Sequence, residues 1–584
     1  MTSETLLIQP EPTSEVACLP ATMDLIDHID DWLTYLVKLV GMTTDVKTRI
    51  KYRRQIKYLV RFRYGANCNI THNITLARYY TKRANKYEDA PGSSEKYNSD
   101  EHDSLYALVR PMAFEVGKPV QSCYLSDVYA FKQVQKALAC EDIFFLQGPP
   151  GTGKTTAIVE IILQTLRHKP DARILITSET HVAVDNALDR LTSHLSSGQM
   201  ATLLRYPRFT VSALENPDAI LVQAQSRANA LWNQAHQTAP ELTCHLWQRL
   251  DRGRKNEKGK HELPRWLVRN LADNHQIIGV TCNQLDHLLD KESEIFDLAI
   301  VDECSKATLP EWIMALSVAQ KCILVGDHKQ LPPTFCQEES EALSVLSYSQ
   351  EKLIRDGVIE RMFENFPESM KGTLLRQYRM LPQIGQFISE NFYNKSLSHS
   401  RIKGNGLFEH FAWLTYRARN FSVPPEKGNQ RKTLINQAEV TVILDKLKAM
   451  CTQIAEANLL VGSDNDAIYQ RGKKLTVAVI TPYRAQCQEL RRAILKNDFS
   501  ACLIIEVDTV DAFQGRQADV VFFSFVRTVG PATFYADDRR INVAISRARD
   551  CVYLVGNIDY IRRHNIPVLK ALLKFPVLSC ADVC

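Results

Sequence analysis

The 15 cysteines of this 584-residue chain include no pair separated by two residues. The nearest pair, Cys580 and Cys584, has no second pair or nearby histidines to complete four ligands. A zinc ribbon or finger is therefore disfavoured. So few cysteines for the length also exclude a disulfide scaffold, and scattered thiols point to a reducing compartment. Long apolar runs are missing too: no stretch reaches 18 residues, so no membrane-spanning helix is expected. The opening MTSETLLIQPEPTSE carries acid where a secretory leader needs base. The expected setting is intracellular and cytoplasmic, away from membranes. Charge of one sign is lacking as well, since 71 Lys+Arg against 66 Asp+Glu leaves only +5. That balance names no partner, so any argument for nucleic acid must rest on local clusters. With 45% hydrophobic and 23% charged residues the composition is that of globular proteins, which excludes a disordered or fibrous chain.

What is present divides into three stretches: a basic accessory region over 1–120, then 121–340 and 341–584. Residues 49–64 alternate with period two. Ile50, Tyr52, Ile56, Tyr58, Val60, Phe62 and Tyr64 fall on one parity, and Arg49, Lys51, Arg53, Lys57, Arg61 and Arg63 on the other. The alternation predicts one long bent strand or two successive strands. Its basic face either is solvated or lies along phosphates. Residues 88–103 are polar, with Pro and Gly, and read as an exposed loop.

Beyond residue 125 the pattern becomes helix followed by short apolar run. IFFL (143–146), RILIT (173–177), LAIVD (298–302) and CILVG (322–326) form one series. AVIT (478–481), 520–526 and VYLVG (552–556) form a second. This predicts an α/β chain with two parallel sheets and sites at the strand ends. Residues 337–360 read as a polar helical hinge, and Asn436 with Glu439 as the capping box of a helix. An insertion is expected over 195–274, with the charged run DRGRKNEKGKHE as a loop inside it.

Gly148-Pro149-Pro150-Gly151-Thr152-Gly153-Lys154-Thr155, followed by Thr156, matches the phosphate loop and stands between an apolar run and a helical one. Bare glycines let backbone N–H groups close around phosphate oxygens. A helix N-terminus adds favourable charge. Lys154 neutralises the β- and γ-phosphates, and Thr155 offers its hydroxyl to Mg²⁺. The chain is thus expected to bind a nucleoside triphosphate. Asp302 and Glu303 end LAIVD; Asp302 is placed to hold Mg²⁺ and Glu303 to take a proton from the attacking water.

Further motifs follow in order: Ser178–Asp185 (SETHVAVD), Gly326–Pro333 (GDHKQLPP), Gln377-Tyr378-Arg379-Met380, Thr481–Gln486 (TPYRAQ), Val510–Gly515 (VDAFQG) and Arg539–Arg549 (RRINVAISRAR). Over residues 125–560 this series resembles superfamily 1 helicases, and within them the Upf-like group, named for the helicase of nonsense-mediated RNA decay. The resemblance implies two tandem RecA-like domains with ATP and Mg²⁺ in the cleft between them. It implies that Gln330 senses the γ-phosphate, that Arg379 and Arg547 are arginine fingers and that Tyr378 stacks on the base. Thr180, His181, Thr281, Thr481 and Thr509 fall in motifs that touch the nucleic-acid backbone. The implied activity is ATP-driven movement on single-stranded RNA or DNA, 5′ to 3′, by a chain that is a monomer on its own. An alternative from another class is an ATPase switch or clamp that separates no strands.

Three departures stand out. Where the family reads adenine with a glutamine upstream of the phosphate loop, Ala130 falls near that register, with Asp127, Gln133 and Gln135 as substitutes. Where the family has Glu after Gln514-Gly515, this chain has Gln517, uncharged but able to hydrogen-bond. The Cys/His-rich module of some relatives is missing.

Overall fold

The computed structural model describes residues 20–64, 122–140, 143–206, scattered positions from 222 to 238, 270–288, 296–356, 359–417, 434–460, 474–513 and 515–582. The loop expected at 88–103, the charged run of the insertion, most of the 195–274 segment and Gln514 lie outside the described residues.

The chain packs as two compact units. The first takes in residues up to Gln147, Thr155–His328 and Pro332–Gly372. The second takes in Gly148–Lys154, Lys329–Leu331 and the chain from Thr373 onward. Both are built on parallel sheets, as the short apolar runs predict.

In the first unit the strands are β1 (Ile143–Gln147), β2 (Ile174–Ser178), β3 (Leu203–Arg205), β4 (Ile277–Thr281), β5 (Phe296–Asp302), β6 (Ala319–Gly326) and β7 (Lys371–Thr373). They lie in the order β3-β4-β2-β5-β6-β1-β7. The β2–β5 register sets Ser178 opposite Asp302, and the β1–β6 register sets Gln147 opposite Gly326. The ends that carry motifs are thereby level along one edge. β1, β2 and β4 are buried along their whole length, which is why they read as unbroken apolar runs.

Residues 49–64 do not form a strand. They belong to a helix, α2 (Val46–Tyr64), which pairs with α1 (Pro20–Met42). The physical reason sits in two of the three exceptions to the alternation, Gln55 and Leu59, the third being Arg54. With Tyr52 and Ile56 they complete a buried stripe at i, i+3, i+4, i+7, the spacing of one helix face. Asp45 starts α2 by accepting the N–H of Thr48 at 2.7 Å. Arg49 donates to the carbonyl of Thr43 through Nε (3.1 Å) and Nη2 (2.5 Å), closing the turn behind α1. Arg49 is thus a structural tie. The extended spacing expected for the basic side chains gives way to a helical rise.

The stripe of α2 packs on the helix Leu309–Leu316, and α1 packs on the helices Gln337–Leu343 and Tyr348–Asp356. The 337–360 segment therefore belongs to the first unit's packing, where Trp32, Tyr35 and Phe335 meet edge to face or tilted at 5.5–6.3 Å.

The second unit holds β10 (Phe411–Arg417), β11 (Leu475–Thr481), β12 (Leu503–Thr509), β13 (Ala518–Ser524), β14 (Ala548–Val555) and β15 (Val577–Asp582). Their order is β12-β11-β13-β14-β10-β15. A small parallel pair, β8 (Arg376–Gln377) and β9 (Ser398–His399), carries the Gln377–Met380 motif. Half of the expected capping box forms: Asn436 Oδ1 accepts the N–H of Glu439 at 3.2 Å at the start of the helix Gln437–Leu460, but the N–H of Asn436 donates to Gln486 Oε1 at 2.8 Å instead of to Glu439.

Candidate nucleotide and strand sites

The phosphate loop leaves β1 and enters the helix Lys154–His168. Gly151 and Gly153 have φ of 73° and 84°, conformations that a side chain would strain. A Cβ on Gly148 would stand 2.1 Å from Lys154 Cγ, so the loop closes over the lysine stem only because that position is bare. Lys154 Nζ donates to Gly148 O at 2.9 Å, and Thr152 bonds Pro149 O through N (3.3 Å) and Oγ1 (2.7 Å). This glycine cradle, with a cation in its mouth, fits the phosphates of a nucleotide.

β5 carries Asp302 at its last position, buried, with Oδ1 accepting the N–H of Glu303 at 2.8 Å. Glu303 has φ 51°, an uncommon backbone for a residue with a side chain, and it turns the chain out of the strand direction. The kink is held from behind: Cys304 N–H donates to Val325 O at 3.0 Å and Trp312 Nε1 donates to Cys304 O at 2.9 Å. Among the described residues no three His, Cys, Asp or Glu side chains gather as a metal cage. Mg²⁺ held by one carboxylate and one hydroxyl together with nucleotide oxygens needs none. The oxygen donors Asp302 and Thr155 are of the right kind.

Within the second unit the arginines converge. Arg547 is buried and donates from Nη2 to Gln330 Oε1 at 2.9 Å and from Nε to Val543 O at 3.0 Å. Arg379 donates from Nη1 to Ser546 O at 2.9 Å and from Nε to Gln517 Oε1 at 3.1 Å. Gln517 thus steers Arg379 without cancelling its charge, which a glutamate at this place would do. Gln377 accepts the N–H groups of Arg379 (3.0 Å) and Met380 (2.8 Å) on one oxygen. Tyr378 N–H donates to Gly151 O at 2.8 Å, and a Cβ on Gly151 would stand 2.6 Å from Arg379 Cβ. The Tyr378 ring is 43% exposed, with the Arg376 guanidinium 5.7 Å from its centre. Gln330, Arg379, Arg547, Gln517 and the bend of the phosphate loop are therefore neighbours.

The residues assigned to strand contact sit at or just beyond the carboxyl ends of parallel strands. Thr281 ends β4, buried, and donates to Gln284 Oε1 at 3.0 Å. Thr180 caps the helix His181–Thr192 by accepting from Ala183 N at 3.3 Å. Thr481 ends β11 and is buried; Thr509 ends β12 and is half-buried. His181 Nδ1 lies 3.1 Å from Nη2 of the buried Arg205, whose Nε donates to Asp185 Oδ1 at 2.6 Å. Arginine has no acceptor, so Nδ1 keeps its lone pair and the ring hydrogen sits on Nε2. Burial first, then the Arg205 charge, lowers the pKa of His181. Arg205 escaped the sequence reading because an Arg after two leucines carries no signal of its own.

Of the substitutes considered for adenine reading, Asp127 serves as a helix cap, accepting from Tyr129 N (2.8 Å) and Ala130 N (3.1 Å). Gln133 is buried with Oε1 pressed toward Gly372, where a Cβ would come within 2.5 Å.

The chain is similar to known proteins over most of its length. Two models described as AAA domain match the chain, one over 354–559 and one over 130–242 and 218–338. An uncharacterized ATP-dependent helicase of Methanocaldococcus jannaschii is 27% identical over 74% of this chain and 68% of its own length. DNA-binding protein SMUBP-2 of Rattus norvegicus is 30% identical, over 76% of this chain and 44% of its own. DNA polymerase alpha-associated DNA helicase A of Saccharomyces cerevisiae is 27% identical, over 74% of this chain and 65% of its own. The chain thus spans less than half of the second relative and about two thirds of the other two. Among the described residues no helix is long and apolar enough to cross a membrane. Taken with the ordered motifs, these matches group the chain, through both of its sheets, with the superfamily 1 helicases.

Proposed function

We propose that this chain hydrolyses ATP to move along, and separate, single-stranded nucleic acid from its partner strand, in the manner of the Upf-like group and in the 5′-to-3′ direction. The observation that carries the reading is the convergence of Gln330, Arg379 and Arg547 beside the phosphate-loop bend, together with the kinked Asp302-Glu303 pair. A small-molecule kinase uses a phosphate loop but has no use for this cluster.

Lys154 neutralises charge on the β- and γ-phosphates. Glu303 orients the attacking water and accepts its proton. Arg379 and Arg547 stabilise the charge that spreads over the transferring phosphoryl oxygens, an effect worth about 10³–10⁵ in rate. Gln330, held by Arg547, reports the state of the γ-phosphate. Thr155 and Asp302 would hold Mg²⁺, which supplies further neutralisation of phosphate charge. Thr180, His181, Thr281, Thr481 and Thr509 contact the strand at its backbone, which carries little base information.

The test pairs ATPase assays with strand displacement on duplexes carrying a 5′ or a 3′ overhang, of RNA and of DNA. ATPase stimulated by single strands, with displacement from the 5′ overhang, is expected. Stimulated ATPase without displacement from any substrate would mark a clamp instead. Glu303→Gln is expected to bind ATP and lose turnover, because an amide cannot take the proton.

A further inference from the structure

β13 ends at Ser524, and the chain then turns abruptly. Arg527 N–H donates to Phe525 O at 2.8 Å, closing a three-residue turn around Val526, whose φ is 69°. An i to i+2 bond around a positive φ is the rare, strained form of the γ-turn. A β-branched residue there is a genuine outlier. Such strain persists only where the surroundings over-determine it, and it clusters at functional sites.

Both backbone groups of Val526 are held by the capping residues of the helix Gln437–Leu460. Its N–H donates to Glu439 Oε1 and Oε2, each at 2.9 Å, and its carbonyl accepts from Asn436 Nδ2 at 2.8 Å. Glu439 is fully buried and also accepts from Ser524 Oγ at 2.6 Å and Tyr416 OH at 3.1 Å. Capping the helix alone needs none of these additional partners.

The turn determines where Arg527 points. Its Nε donates to Tyr483 OH at 2.6 Å, and the guanidinium lies 5.8 Å from the Tyr483 ring centre. Its two terminal nitrogens make no hydrogen bond among the described residues, and both side chains are partly exposed. Arg527 follows β13 and Tyr483 follows β11, adjacent strands whose carboxyl ends also carry Thr481 and, one strand further, Thr509. Such an edge is where parallel α/β sheets take ligands. It also holds a buried hydroxyl, Thr481 Oγ1, with no hydrogen-bond partner among the described residues. A guanidinium anchored at Nε, with two terminal nitrogens forward, matches two oxygens of one phosphate.

We propose that Arg527 binds a backbone phosphate of the single strand, and that Glu439 and Asn436 are positioning residues that hold the Val526 turn so that Arg527 and Tyr483 face that phosphate. The proposal rests on the strand-binding reading above and adds to it a residue outside the motifs assigned there.

The test measures anisotropy of a short fluorescein-labelled oligothymidine, and of the matched oligouridine, across a series of KCl concentrations. R527Q is expected to bind several-fold more weakly and to flatten the slope of log affinity against log salt by about 0.7, one phosphate on a single strand. R527K keeps the charge and is expected to keep the slope. E439Q, with Arg527 intact, is expected to lose the same part of the slope. Adding V526G is expected to restore it, since glycine takes positive φ without strain. N436A, which releases the carbonyl of Val526 together with the N–H of Glu439 and the Tyr416 hydroxyl but leaves the Glu439 carboxylate in place, reads the same positioning should E439Q fail to fold. A wild-type slope in R527Q with an unchanged melting temperature overturns the phosphate contact. A wild-type slope in folded E439Q, or in N436A if E439Q does not fold, overturns the positioning role. Failure of the wild-type chain to bind either strand removes the strand-binding reading and this proposal together, so the two failures are told apart.

Discussion

Arg547 directs its guanidinium to Gln330 Oε1 and to the carbonyls of Val543 and Arg516, and Arg379 rests on Gln517 and Ser546 O. These partners aim the two cations and leave their charge intact. Arg547→Ala and Arg379→Ala are each expected to slow hydrolysis by a factor on the order of 10² or more. Nucleotide affinity should fall much less, since charge on the phosphoryl oxygens is what the arginines oppose. Single-turnover kinetics beside equilibrium nucleotide binding measures both, and near-normal hydrolysis in the two variants would remove them from the reaction. A second residue-scale expectation concerns Glu160, fully buried on the helix Lys154–His168 that follows the phosphate loop. Burial by itself pushes its pKa up. Hydrogen bonds from Gln164 Nε2 (2.7 Å) and from the N–H groups of Cys123 (2.7 Å), Leu125 (2.9 Å) and Tyr124 (2.6 Å) outweigh that and hold it below the ordinary 4.5. A depressed carboxyl pKa adds stability that is complete above the unfolded-state value and is lost as pH falls through the folded one. Glu160→Gln should therefore be less stable at neutral pH by about 1–3 kcal/mol and lose less on acidification below pH 4.5. Urea titrations at a series of pH values measure it; parallel acid profiles for the two proteins would contradict the assignment.

At the scale of elements, α2 shows how a sequence pattern misleads. Period-two alternation and a helical stripe share Tyr52 and Ile56, four residues apart, and only Gln55 and Leu59 decide between them. Those two are among the three residues that break the alternation, so the evidence for a helix is present but looks like noise. Ile56→Ala should cost about 2–5 kcal/mol, because a fully buried aliphatic side chain leaves a cavity against α1 and the helix Leu309–Leu316. Lys57→Gln, on the half-buried side, should change stability by no more than about 0.5 kcal/mol. Denaturant unfolding followed through the buried Trp32 reports on this packing. A larger effect at Lys57 than at Ile56 would contradict the observed face. The strands behaved differently. Runs such as IFFL and CILVG are buried on both faces of parallel sheets, so nothing polar interrupts them and the sequence displays them plainly. The Val526 turn, by contrast, could not be read: its strain is set by Glu439, distant in sequence, and local pattern carries no trace of such a partner.

At the scale of the molecule, the chemistry was most legible where backbone had to be bare or a charge had to be fixed in number. The phosphate loop needs glycine at φ 73° and 84°, which no other residue supplies cheaply, so its spacing is visible in the letters alone. The groups that orient Arg379 and His181 include Gln517 and Arg205, each of which reaches its partner from a distant stretch of chain only on folding. Linkage gives a test that involves the whole chain at once. Any ligand that binds the folded state alone raises stability by RT ln(1 + [L]/Kd), about 2.7 kcal/mol at a hundredfold excess over Kd. A non-hydrolysable ATP analogue with Mg²⁺ should therefore raise the melting temperature of the wild-type chain. Lys154→Ala removes the cation that the Gly148 carbonyl holds in the mouth of the loop, and should abolish most of that shift at the same analogue concentration. Glu303→Gln, which leaves the loop untouched, should keep it. Differential scanning fluorimetry of the three proteins with and without analogue makes the comparison. An undiminished shift in Lys154→Ala would mean that the phosphates are held somewhere other than the Gly148–Thr155 loop.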